Sequence, residues 1–232
     1  MEKTKRIITL FLVIVCALAL CVTAGAADTS VITDMKTDCV VDAAGSCQIT
    51  QTVTIDIAGT EDTIELPLAA GAKRISVAGY KYKKTTQDGY TVLVLSSNGG
   101  FAGSRTFTIS YTVSGLVSEQ DKIQTLTLPL LAPKWNWAIN NYDFTITLPA
   151  AFEGYPTFTS GYYGDVIEDY MNFTVREGMI GGTISTALKD HESLAMTLDV
   201  GEGYFAGRYA SWSSGWVETA LVIVFSALAL LY

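Results

Sequence analysis

Apolar and polar residues alternate along most of the chain between residues 29 and 200. The alternation is cleanest at residues 50–57, 106–113 and 142–148, where β-branched or aromatic residues occupy every second position. This period of two is typical of strands with one buried face. Further strands are predicted at residues 63–68, 74–78, 80–85, 90–95, 123–130, 172–176, 182–187 and 193–200.

Turn residues separate these runs, and none of the runs has helical spacing. Asp88-Gly89 stands between two predicted strands and marks a hairpin. Gly99-Gly100 and Gly181-Gly182 are interpreted as turn glycines. Many short strands with frequent turns predict an all-β fold, an antiparallel β-sandwich.

The length of 232 residues allows one large sandwich or two small ones. The most polar break near the middle covers residues 114–122. We therefore expect sandwiches at residues 28–117 and 118–206, with one larger sandwich built from both halves as the alternative.

The N-terminus has the features of a secretory signal peptide at residues 1–26. Three cations precede an uncharged apolar run at residues 7–22, namely Lys3, Lys5 and Arg6. Small residues at Ala24 and Ala26 then suit a signal peptidase. Cleavage is expected after Ala26 or Ala27, and the alternative is a retained anchor helix. In either case the β domain is exported and lies outside the cell.

The C-terminus is predicted to begin a transmembrane helix at residues 212–232. Trp212 and Trp216 precede an uncharged apolar run that starts at Ala220, as aromatic residues do at a membrane interface. The run is shorter than the 20 or so residues that a span needs, so we expect the sequence to end inside the helix. A tail that packs on the protein or is removed is the alternative.

Charged residues make up only 16% of the chain, and the net charge is -8. An acidic surface repels phosphate backbones, which excludes nucleic acid as a favoured partner. The membrane and a protein or glycan outside the cell are the expected partners.

Cys39 and Cys47 are the two cysteines that remain after signal cleavage, and they flank a turn. A three-residue turn at residues 42–44 or nearby would place them opposite each other, so a disulfide can form in an exported chain. Two buried free thiols are the alternative. The spacing does not fit a zinc site.

Candidate catalytic residues are few. His191 is the single histidine and lies in a charged turn. Asp165, Glu168 and Asp169 cluster in a stretch rich in Tyr and Gly, where paired acids can cut a glycosidic bond. A polar turn is the simpler interpretation, so we expect no enzyme, no cofactor and no metal.

Aromatic residues supply the candidate contact surface. Trp135 and Trp137 fall on one face of an extended segment, and Tyr162 and Tyr163 lie in a second aromatic stretch. Exposed aromatic rings stack on sugars or on partner side chains. The alternative for the two tryptophans is a place in the core between the sheets.

Three segments resemble the predicted membrane proteins grouped as domain of unknown function 2207. They are "FTISYTVSG" at residues 107–115, "WNWAINNYDFTITLP" at residues 135–149 and "ESLAMTLDVGEGYF" at residues 192–205. The resemblance implies an exported β-rich domain followed by membrane helices, and it implies no catalytic residue.

These observations predict a non-catalytic extracellular domain of a membrane-anchored protein with an interaction or structural role at the cell surface. A carbohydrate-active hydrolase or glycan-binding module built on the acids and aromatic residues is one alternative. A sensory or assembly domain of a larger multi-span membrane protein is the other.

Overall fold

A computed structural model describes residues 29–161, 165–166 and 171–207 of the chain. The chain divides into two units, Met1–Ser30 and Val31–Tyr232. In the first unit only Thr29 and Ser30 are described, and neither lies in a helix or strand. The predicted signal peptide and the predicted helix at 212–232 lie outside the described residues. Among the residues that are described, no helix is long and apolar enough to cross a membrane.

The described part of the second unit consists of strands and connections, which confirms the all-β prediction. Its strands are β1 (Val31–Val41), β2 (Cys47–Leu68), β3 (Lys73–Val77), β4 (Tyr82–Gln87), β5 (Tyr90–Val113), β6 (Val117–Gln120), β7 (Ile123–Leu131), β8 (Ile139–Thr147), β9 (Thr157–Gly161), β10 (Asp165–Val166), β11 (Met171–Arg176), β12 (Met179–Ile184) and β13 (Ser193–Val200).

Two sheets contain these strands. The first has the order β11-β12-β8-β1-β2-β5-β3, with β4 also paired to β5, and the second has the order β10-β9-β13-β7-β6. The first sheet therefore takes strands from both sides of the boundary expected near residue 117. Whether the chain counts as one or two domains stays a prediction.

One strand pair departs from the antiparallel expectation. β1 and β8 are parallel over Ile32 to Val40, which makes the first sheet mixed. The chain leaves this sheet after β5, forms β6 and β7 in the other sheet, and returns as β8. A tight turn between two strands forces them to pair antiparallel, whereas a connection as long as this one allows parallel pairing.

β2 and β5 are longer than the pattern suggested. Each joins two predicted strands, because their pairing continues past register shifts between Ile57 and Thr63. Such bulges insert unpaired residues and bend the strand without ending it. The predicted hairpin at Asp88-Gly89 is confirmed, since Gln87 pairs with Tyr90 and both turn residues have positive φ, +48° and +84°.

The inward faces of both sheets contribute to one hydrophobic core. A buried polar group ties the sheets together inside it. The Tyr142 hydroxyl lies 2.9 Å from Thr37 Oγ1 and 2.9 Å from the Leu130 carbonyl of the second sheet. Gln51 donates to the same carbonyl at 3.1 Å. These bonds fix how the two sheets face each other, because a buried polar group without its partner is costly.

Candidate functional site

The two predicted contact tryptophans lie in different surroundings. Trp135 is 1% exposed and belongs to the core, so its ring fills space between the sheets. Trp137 is half-buried and packs against that core from outside. Tyr162 and Tyr163 lie outside the described residues. Of the predicted contact residues that are described, Trp137 alone presents surface to a partner, and its binding role stays a prediction.

The candidate acids are described only in part. Asp165 begins the two-residue strand β10 and pairs with Ser160, while its side chain, Glu168 and Asp169 are outside the described residues. His191 lies in a turn, where its Nδ1 is 3.2 Å from Asp190 and its backbone N–H donates to the Trp135 carbonyl. Across residues 29–161 and 171–207, no three His, Cys, Asp or Glu residues cluster closely enough to hold a metal ion.

Cys39 and Cys47 are buried neighbours on β1 and β2, and both are free thiols. They are not opposite each other, which corrects the expected register. Cys47 pairs with Val41 and Cys39 pairs with Ile49, so the two are diagonal neighbours on the inward face. The reason is that the loop is centred on residues 43–45, inside an Asp42–Ser46 main-chain bond.

The surroundings of Cys39 disfavour its thiolate. The hydrogen bond with Cys47 and then burial raise the pKa of the Cys39 thiol well above its usual range. A thiol in this state is a poor nucleophile. Whether the pair forms a disulfide stays a prediction.

A groove of about 420 Å³ opens where the chain crosses between the sheets. Its lining includes Tyr90, Leu116 and Pro129 beside the hydroxyl-bearing Ser114, Ser118 and Thr127, and none of its lining residues is charged. A groove of this composition offers apolar contact and neutral hydrogen bonds. It suits the binding of a neutral group better than the transfer of a proton.

A strongly basic segment pairs with β5 on the side opposite β2. We call residues 73–84 the basic edge segment, and it consists of β3, β4 and the turn between them. It holds five cations and no acid, in a chain with a net charge of -8. The cations are Lys73, Arg74, Lys81, Lys83 and Lys84, and all five are exposed.

Aromatic residues hold this segment against the domain. The Tyr80 ring packs between Phe101 and Phe107, with ring centres 6.0 and 5.2 Å away. The Tyr82 hydroxyl donates to the Ile75 carbonyl at 2.8 Å, which ties β4 to β3. With the tyrosines turned to the protein, the intervening lysines are exposed to solvent.

A bulge displays the first two cations. The pairing of β3 with β5 shifts between Lys73 and Ser76, and Arg74 has a φ of +51°. None of the five cations takes part in the ion pairs found among the described residues. Since their charges are not neutralised locally, the segment attracts anions.

The charge run of this surface is visible in the sequence, although the alternation of apolar and polar residues does not reveal it. Five cations within twelve positions without one acid are visible as a charge run. Net charge hid them, because the average over the chain is acidic. Only the pairing of β3 and β4 with β5 shows that the run lies on a sheet edge.

Comparison with known protein families assigns the chain to one of them. The family described as "predicted membrane protein (DUF2207) N-terminal domain" matches residues 31–194. The chain belongs to this family. The match covers twelve of the thirteen strands completely and ends within β13. No curated protein matches the DUF2207 chain.

Solved structures match the DUF2207 chain only remotely. Yeast leukotriene A4 hydrolase with bestatin has 10% identity and a TM-score of 0.45, covering 72% of this chain and 28% of that one. The native enzyme from Saccharomyces cerevisiae has 12% identity and a TM-score of 0.43, covering 73% and 29%.

A zinc metallopeptidase of the M1 group from Deinococcus radiodurans has 10% identity and a TM-score of 0.34, covering 72% and 42%. The DUF2207 chain therefore spans less than half the length of each of these enzymes. Similarity at this level supports no inference about activity.

Proposed function

We propose that this DUF2207 domain is the non-catalytic extracellular part of a membrane-anchored protein, and that it binds an anionic partner through the basic edge segment. The family consists of predicted membrane proteins, which supports the membrane association. The signal peptide predicted at residues 1–26 and the transmembrane helix predicted to begin at residues 212–232 support the extracellular position. The observation that carries the binding role is five exposed, unpaired cations on one edge of an acidic protein.

The geometry of the edge suits an extended partner. β3 and β4 each pair only with β5 among the described strands, so their outer sides are open. Lys73 and Lys84 are eleven residues apart, which is at most about 36 Å for an extended chain. A linear acidic protein segment or an anionic glycan of that length can contact all five cations. Each contact adds little by itself, and several together give measurable, salt-dependent affinity.

The groove supports binding more than catalysis. Tyr90, at the start of β5, lines it, and Ala70, shortly before β3, lines its wall as well. Two lining residues of the groove therefore flank the basic edge segment in the sequence, three positions before it and six positions after it. An uncharged groove beside a charged edge can seat an apolar or neutral part of the same partner.

A titration with defined polymers tests this proposal. Fluorescently labelled poly-L-glutamate and dextran sulfate are added to the purified protein, and anisotropy is measured from 50 to 300 mM salt. We expect binding that weakens steeply as salt rises. Neutral dextran is the polymer control and should not bind, since it carries no charge for the cations to attract.

Charge reversal locates the site. The triple variant K81E, K83E and K84E should lose binding, and a control variant, K36E with K189E, should keep most of it. Equal binding by wild type and triple variant would contradict the proposal. In that case the lysines would serve to keep the open edge from pairing with other sheets. Preference for one polymer indicates whether the partner is a protein or a glycan.

A further inference from the structure

The last described residues are held tightly against one end of the domain. Gln124 contacts Phe205 twice, accepting from its N–H at 2.8 Å and donating to its carbonyl at 3.3 Å. The Ala206 N–H donates to the Ala43 carbonyl at 2.7 Å. The Tyr204 hydroxyl donates to the Ala150 carbonyl at 2.6 Å. Segment 201–207 is therefore part of the folded domain as far as Gly207.

Four connections surround this segment, and we call them together with it the exit face. They are the turns at 42–46, 121–122 and 177–178 and the loop at 149–154. Lys122 pairs with Glu202 at 3.4 Å, and the Leu148 N–H donates to the Gly178 carbonyl at 2.8 Å. Gly154 lies so close to the Asp199 carbonyl that a Cβ would be 2.5 Å from it. Three of the connections therefore contact segment 201–207 directly, and the turn at 177–178 lies against the loop at 149–154.

The exit face carries the exposed apolar side chains of the domain. Five large hydrophobic residues are exposed in the described part of the chain, and each lies within two positions of one of the four connections. They are Val40 (55% exposed), Ile123 (50%), Tyr155 (75%), Val175 (41%) and Met179 (43%). The small residues Ala43, Ala44, Pro149, Ala150 and Ala151 on the same connections are exposed too. Exposed apolar residues gathered at one end of a protein mark a contact surface.

We propose that the exit face rests on the outer surface of the bilayer, with these apolar side chains in the headgroup layer. The inference rests on the proposed anchor at residues 212–232. Four residues separate Gly207 from Trp212, so the connection can span at most about 18 Å. A tether this short keeps the exit face close to the membrane. The surface that the exit face meets is therefore lipid rather than a protein partner. Apolar residues of a surface-bound protein enter the interface by about 5–10 Å.

Charge decides which lipid is used for the test. Acids outnumber cations on the exit face. The acids are Asp42, Asp121, Glu153, Glu177 and Glu202, and the cations are Arg176 and Lys122, which pairs with Glu202. Anionic headgroups would repel such a face. The test therefore uses vesicles of phosphatidylcholine, which has no net charge and does not repel the exit face.

Single labels report the position of the domain in vesicles that contain the full chain. A fluorophore is placed at Ala151→Cys on the exit face, and at Lys189→Cys as the control. The control position lies at the start of β8, because Leu188, which precedes Lys189, pairs with Ile139. Position 151 lies beyond the other end of β8, four residues after Thr147. β8 puts the two positions about 30 Å apart. Cys16 and Cys21 are replaced by Ser in both labelled variants. The native Cys39 and Cys47 are buried and do not compete for label.

Lipids with a nitroxide at the headgroup should quench the label at 151 and leave the label at 189 unchanged. The double variant I123D with M179D should lose that quenching and still resist carbonate extraction. Equal quenching at 151 and 189 in carbonate-resistant protein overturns the inference and leaves the anchor standing. Shielding of 151 from water without lipid quenching also overturns it, because a protein then covers the face. Release by carbonate contradicts the proposed anchor itself.

Discussion

Replacement of Tyr142 by Phe tests whether the buried polar group holds the two sheets together. The ring stays, so packing changes little and only the hydroxyl is lost. A phenol has one proton and a carbonyl only accepts, so Tyr142 donates to the Leu130 carbonyl and accepts from Thr37. Both partners are buried. The variant therefore removes one of the two bonds to the Leu130 carbonyl that join the sheets, and one bond within the first sheet.

The expected cost is about 2 kcal/mol, within a range of about 1–3 kcal/mol for buried hydrogen bonds whose partners remain. The lower half of the range applies if Gln51 compensates, since it already donates to the Leu130 carbonyl at 3.1 Å. With a urea m-value of about 2 kcal/mol per M, the unfolding midpoint falls by about 1 M. A chain that ends at Gly207 is used, and unfolding is followed by tryptophan fluorescence and by circular dichroism.

Tyr204→Phe is the matched control. Its hydroxyl also donates to a carbonyl, that of Ala150 at 2.6 Å, but the bond is exposed to solvent. Water replaces the lost partner there, so its cost should stay below about 1 kcal/mol. If Tyr142→Phe cost no more than Tyr204→Phe, the polar group would not join the sheets. A changed m-value would mean that the variant altered the extent of folding rather than one bond.

Three further predictions concern stability. Gly182→Ala should cost about 1–3 kcal/mol because its Cβ would lie 2.5 Å from the Phe144 ring, whereas Gly181→Ala meets nothing closer than 3.9 Å and should be near neutral; equal midpoints in urea would refute this. Trp135→Ala should cost about 3–5 kcal/mol as a loss from the core, and Trp137→Ala should cost clearly less, as thermal unfolding would show. Under reducing conditions the free energy of unfolding should change little between about pH 7 and pH 8.5 and fall above that range, because the folded state keeps the Cys39 proton that the unfolded chain releases; Cys39→Ala should abolish that decline in pH-dependent urea unfolding.

The alternation of apolar and polar residues was sufficient to predict the strand content. Successive side chains on a strand point to opposite faces of the sheet. A strand with one buried face therefore shows alternating apolar and polar residues in its sequence. Residues 106–113 therefore fall within β5, and residues 142–147 fall within β8. The turn at Asp88-Gly89 was also readable, because few residues other than Asn, Asp and Gly accept two successive positive φ angles.

The sequence did not reveal which strands are neighbours. Gly181-Gly182 was interpreted as a turn but lies inside β12, where the missing side chain of Gly182 makes room for the Phe144 ring of β8. That requirement comes from a residue 38 positions away and leaves no local trace. The parallel pairing of β1 with β8 is equally non-local, since it depends on how the chain returns from the second sheet.

The candidate site divides in the same way. The charge run at residues 73–84 and the aromatic residues Trp135 and Trp137 are visible in the sequence. Burial decides between the two tryptophans, and pairing with β5 decides that the charge run lies on an open edge. The sequence determined what each residue can contribute, because hydropathy, charge and backbone preference belong to single residues. Tertiary structure alone decided which contributions face solvent together, because the sheet brings together residues that are far apart in the chain.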